Sequence, residues 1–93
     1  MVLEVAILNI KTGLSQEFEK AFSRAEKIIS NMKGYIAHEM NKCIEQNDKY
    51  ILLVRWETLE DHTNGFRQSE EYQEWKALLH HFYEPFPIVE HYI

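Results

Sequence analysis

The sequence predicts an α+β domain in which a four-stranded antiparallel sheet is covered by helices, in the order βαββαβ. Three observations carry this reading. VLEVAILNI (residues 2–10) and YILLVRWE (50–57) have the Val, Ile and Leu content of strands. Elsewhere apolar residues recur at three- and four-residue steps, the period of amphipathic helices. Turn residues separate these runs. Ninety-three residues hold enough interior for one domain, so 1–93 reads as a single unit.

In the first strand Leu3, Val5 and Ile7 point one way and Val2, Ala6, Leu8 and Ile10 the other, with Glu4 and Asn9 as polar exceptions. Apolar character on both faces marks a central strand. Lys11-Thr12-Gly13 ends it. From Ser15, the expected N-cap, Phe18, Ala21, Phe22, Ala25, Ile28, Ile29 and Met32 form one stripe, predicting a helix over 15–32 with Gly34 in the left-handed position after it. YIAHEMNKCIE (35–45) and YILLVRWE then form a hairpin across the turn QNDK (46–49). Its second strand sets Tyr50, Leu52, Val54 and Trp56 on one side and Ile51 and Leu53 on the other.

Thr58 is a candidate cap for a short helix, LEDHTNGF (59–66), and Ser69 opens a longer one, EEYQEWKALLHHFY (70–83), stopped by Pro85 and Pro87. PIVEHYI (87–93) supplies the last strand. The order is the ferredoxin-like split βαβ arrangement, and right-handed crossovers make its first and third strands the central pair. Helices of one chain cover only one face of such a sheet. The apolar residues of the other face predict a homodimer packed sheet to sheet.

A net charge of -5, with both signs mixed along the chain, provides no basic surface for nucleic acid or for an acidic membrane. No apolar run approaches the roughly 20 residues of a membrane span. Cys43 is the single cysteine, and the start MVLEVAILNIK lacks the pattern of a secretory signal, so the cytoplasm is the expected location.

Candidate chemistry centres on His62. Leu59, His62 and Phe66, at i, i+3 and i+7, are expected on the inward face of the short helix, where an imidazole serves either as a proton-handling group or as a hydrogen-bonded core residue. On the long helix Tyr72, Trp75, Leu79, Phe82 and Tyr83 form an aromatic stripe facing a sheet that carries Tyr50 and Trp56. Such a stripe is either core or the wall of a pocket for a planar ring. His80 falls at the boundary and His81 toward solvent. No histidine pair has metal-ligand spacing on a helix, and Gly13, Gly34 and Gly65 are too scattered for a phosphate loop, so neither a metal nor a bound nucleotide cofactor is expected.

The element order, and RWETLEDHTNGFRQSEEYQEW (55–75) above all, resembles the antibiotic biosynthesis monooxygenase family, whose members are dimeric α+β barrels. The resemblance spans the whole chain, and the tail LLHHFYEPFPIVEHY is similar to that of an uncharacterised bacterial subgroup. It implies oxidation of a small aromatic phenol or quinol by dioxygen without a cofactor. His62 would be catalytic, Trp56, Phe66, Tyr72, Trp75 and Phe82 would line the ring site, and Arg55 would meet an oxyanion. The resemblance also admits a non-catalytic binding or stress-associated module for a hydrophobic metabolite, and a haem-binding or haem-degrading protein. The haem branch is disfavoured, because Ala6, Gly65 or Phe66, and Lys76 stand where its asparagine, tryptophan and histidine belong. A second departure is Val54, where many relatives carry an acidic residue.

Overall fold

A computed structural model describes residues 1–93. The elements are β1 (Val2–Asn9), α1 (Ser15–Ile29), β2 (Tyr35–Lys42), β3 (Lys49–Trp56), a π-helical segment (Asp61–Phe66), α2 (Glu70–Leu79), one 3-10 turn (His80–Phe82) and β4 (Val89–Tyr92). The strands form one antiparallel sheet in the order β2-β3-β1-β4, so the two strands that are apolar on both faces are the central pair.

Register explains which face each residue serves. Val2 pairs with Trp56, Glu4 with Val54, Ala6 with Leu52 and Leu8 with Tyr50, and these residues face the helices. Phe18, Phe22, Ala25 and Ile29 of α1 and Trp75 and Leu79 of α2 are buried against that face. Each large side chain removed from water there contributes about 1.5–3 kcal/mol. Leu3, Val5, Ile7, Ile51 and Leu53 occupy the opposite face, which no element of the chain covers, and Ile7 is 38% exposed.

Several boundaries differ from the sequence expectation. The first helix ends at Ile29, and Ser15 is not its cap: its hydroxyl donates to the Asp48 carboxylate across the sheet end, and Leu14 occupies the cap position without a side-chain bond. Ser69 does cap α2, accepting from the Tyr72 backbone N–H at 3.1 Å, and Thr58 Oγ1 accepts from the Asp61 N–H at 3.1 Å. Gly34 has φ +84, the left-handed turn expected of it.

The long helix stops at Leu79 and not at Tyr83. The backbone after it is drawn alongside the end of β1, where Lys11 N–H donates to Phe82 O at 2.8 Å and Glu84 N–H to Asn9 O at 2.8 Å. These bonds replace the helical ones that Pro85 would have interrupted. β4 is shorter than expected, four residues paired along Leu3–Ala6. No helix is long and apolar enough to cross a membrane.

Candidate active site

Between the helix-covered sheet face, α2 and the segment after it lies a cavity of about 350 Å³, within the size range of small-molecule sites. Its wall includes Ala6, Leu8 and Leu52 from the sheet, His62, Phe66 and Arg67, Tyr72 and Trp75 from α2, and His80, Tyr83, Phe86 and Val89 from the C-terminal stretch. One carboxylate, Glu4, opens into it.

The π-helical winding brings His62 here. The Arg67 N–H donates to His62 O at 3.0 Å, a five-residue closure. In so wide a turn residues four apart share a face, so His62 and Phe66 both point inward while Leu59 swings out and is 40% exposed. This corrects the expectation that Leu59 shares their face.

His62 is 3% exposed and stacked on Trp56, with centroids 5.3 Å apart and planes 20° apart. Its Nε2 is 3.3 Å from Glu4 Oε1, and its Nδ1 is 2.8 Å from His91 Nε2. The Trp56 indole N–H donates to the same Glu4 oxygen at 3.0 Å. Glu4 is 6% exposed and lies in register between Val54 on one side and His91 on the other.

Burial is the largest influence on each group. It lowers the His62 pKa to about 3, with Arg67 and His91 adding to the effect. The ring is therefore neutral at physiological pH. Its contact with Glu4 at 3.3 Å is therefore not an ion pair, and its Nδ1 is engaged by His91. Burial raises the Glu4 pKa, partly offset by the Trp56 hydrogen bond and Arg67. It also raises Tyr83 and Tyr72, so both phenols keep their protons and remain donors. His80 is lowered by burial and by Lys76, and its Nε2 lies 3.5 Å from the Tyr72 hydroxyl.

Of the residues expected in the site, His62, Phe66, Tyr72 and Trp75 line the cavity. Trp56 stands behind His62, stacked on its ring, and donates its indole N–H to Glu4. Phe82 does not reach the cavity: it turns into the core against Phe18, centroids 5.8 Å apart, and its neighbour Tyr83 takes the wall. Arg55 is on the uncovered face opposite Leu3, so it cannot meet a ligand in this cavity. The guanidinium at the cavity is Arg67, at the end of the π-helical segment. Tyr83 belongs to the aromatic stripe expected to face the pocket and does line it, whereas Glu4 and Arg67 were not expected as site residues, although Glu4 was visible as the charged exception on an inward strand face.

A family model for antibiotic biosynthesis monooxygenase matches residues 1–78. The chain belongs to this family. It is 68% identical over 92 residues to the uncharacterised protein YczJ of Bacillus subtilis strain 168, covering 99% of this chain and 97% of that protein. It is similar to the crystal structure of a candidate antibiotic biosynthesis monooxygenase from Bordetella bronchiseptica, at TM-score 0.94 and 29% identity over 99% of this chain and 94% of that one. SnoaB, a cofactor-independent oxygenase from Streptomyces nogalater, shares the fold at TM-score 0.77 and 16% identity, covering 98% and 87% of the two chains. As a member of the family the chain has a monooxygenase-like role and the ferredoxin-like α+β fold.

Proposed function

We propose that the protein oxidises a small aromatic phenol or quinol with dioxygen, without a cofactor, in the cavity beside His62. The observation that carries this reading is an aromatic-walled cavity of about 350 Å³ holding a buried, neutral imidazole 3.3 Å from a carboxylate. A phenol that loses its proton becomes electron-rich enough to reduce dioxygen directly. The protein then has to hold the ring, manage the proton and stabilise developing oxyanions. Phe66 and Trp75 offer ring faces and edges, the Tyr72 and Tyr83 hydroxyls offer donors, and His62 and Glu4 together manage the proton. The working form is a homodimer joined through the uncovered sheet faces, acting in the cytoplasm.

Dioxygen consumption with naphthols, anthrones and hydroquinones tests the reading. Uptake in proportion to substrate is expected, with loss of at least about 100-fold in His62→Ala. Binding of these compounds without uptake would instead favour a non-catalytic module that sequesters a hydrophobic metabolite.

A further inference from the structure

We propose that Glu4 is the group that takes the substrate's proton, with its Oε1 oxygen held by Trp56 beside His62 and its Oε2 oxygen left to the ligand. This rests on the oxygenase reading above and adds to it a residue on the first strand that receives the proton. A carboxylate this deeply buried costs several kcal/mol unless donors meet it. The Trp56 indole N–H meets Oε1 at 3.0 Å, and His62 Nε2 lies 3.3 Å from the same oxygen. Oε2 makes no hydrogen bond to the protein, yet no buried side-chain N or O atom lacks a partner. Oε2 is therefore open, and the space it opens onto is the cavity that Glu4 lines.

The other groups around this space do not compete for the role. His62 is engaged at Nδ1 by His91 at 2.8 Å, and burial lowers its pKa to about 3, so the ring does not hold an added proton. Tyr72 and Tyr83 keep their protons, His80 has its Nε2 on the Tyr72 hydroxyl at 3.5 Å, and Arg67 is a permanent cation. Glu4 is the carboxylate of the site, and burial moves its affinity for a proton upward, toward the range in which a base is effective. His62 is then a positioning residue: stacked on Trp56 and fixed by His91, it holds Oε1 so that Oε2 points at the ligand.

The step balances with dioxygen as the co-reactant. The substrate O–H bond breaks, its proton moves to Oε2, and the electron pair stays on the substrate oxygen. The anion reduces dioxygen, a C–O bond forms at a ring carbon that carries hydrogen, and the peroxide anion takes the proton back from Glu4. Loss of the ring C–H proton and cleavage of the O–O bond leave a carbonyl, while the second oxygen departs as water. The substrate supplies all four electrons, and Glu4 ends ionised.

Glu4→Gln separates this from a purely structural carboxylate. Its amide oxygen can still accept from Trp56, but an NH2 group then stands where Oε2 was and cannot take a proton. The wild-type protein should bind 2-naphthol about ten-fold or more tighter than 2-methoxynaphthalene, which has no O–H to offer. In Glu4→Gln the ratio should fall below about two-fold, and anthrone-dependent dioxygen uptake should fall by at least about 100-fold. Should that variant not fold, the wild type still decides: its preference for 2-naphthol must disappear on acidification as Glu4 is protonated, while 2-methoxynaphthalene binding holds constant. An equal preference in both proteins, a pH-independent one, or no 2-naphthol binding by the wild type overturns the assignment. Absence of dioxygen uptake by the wild type, with the naphthol preference intact, would overturn the oxygenase reading and leave Glu4 as the acceptor of a ligand hydroxyl.

Discussion

The His62 imidazole lies against the Trp56 indole, ring centroids 5.3 Å apart and planes inclined by 20°, and both rings direct a nitrogen at the same oxygen of Glu4. Stacking fixes the tilt of the imidazole, and the hydrogen bond between its Nδ1 and His91 Nε2 fixes its rotation. The side chain with the strongest depression of basicity is thus also among the most constrained.

That depression has a thermodynamic signature. His62 titrates near 6.5 when unfolded and at about 3 when folded, so between those values the unfolded chain binds more protons. Stability must then fall as pH falls through that window, by up to about 1.4 kcal/mol per pH unit for one group. His80 and His91, also lowered, act with the same sign. Glu4, raised above its ordinary 4.5, acts with the opposite sign and offsets part of the slope. Urea unfolding at pH 7, 6 and 5 should show decreasing stability, and His62→Gln should show a shallower dependence. Identical slopes for the two proteins would contradict a neutral, buried His62.

Phe82 and Tyr83 are adjacent in sequence and should behave in opposite ways. Phe82→Ala empties a site in the core beside Phe18, so a loss of about 3 kcal/mol is expected, with aromatic ligand affinity little changed once the protein is folded. Tyr83→Phe should change affinity for a hydroxylated ring with a stability cost of about 1 kcal/mol or less. Calorimetric unfolding and ligand titration of the two variants provide the comparison, and a reversed pattern would put Phe82 in the wall.

Ser69 caps α2 and also donates to Phe66 O at 2.6 Å, tying the helix start to the end of the segment that carries His62. Ser69→Ala should cost about 1 kcal/mol, read as a melting temperature lower by about 4–8 °C. A change below about 1 °C would show that the cap is not used in solution.

The uncovered face predicts assembly. Wild type should sediment at twice the 11.2 kDa of one chain, and Leu53→Lys, which puts a charge in the middle of that face opposite Val5, should shift it toward the single chain. A wild-type monomer at micromolar concentration would remove the dimer.

Strand order was legible because two segments were apolar on both faces, a pattern only central strands produce. His62 was legible through its spacing to Phe66, although the turn between them is wider than an α-helical reading assumes. Arg55 was misplaced although alternation already set it with Ile51 and Leu53, opposite Trp56; what the strand by itself did not say was which of its two faces the helices cover. Phe82 was misplaced for a different reason: the helix stops at Leu79, so the phase that aligned it with Tyr72 and Trp75 no longer holds. Glu4 was recorded only as an exception to a pattern, since its partners Trp56, His62 and His91 come from three distant parts of the chain.

β4 holds four residues and pairs with one neighbour, β1, at the sheet's edge. Short edge segments open well before a domain unfolds. His91 and Val89 travel with this strand, so each opening uncouples the imidazole pair and parts one wall of the cavity while the remaining three strands stay intact. The protein should therefore have two heat limits, a lower one for ligand retention and a higher one for the fold, and amide exchange along residues 89–92 would report the first without the second.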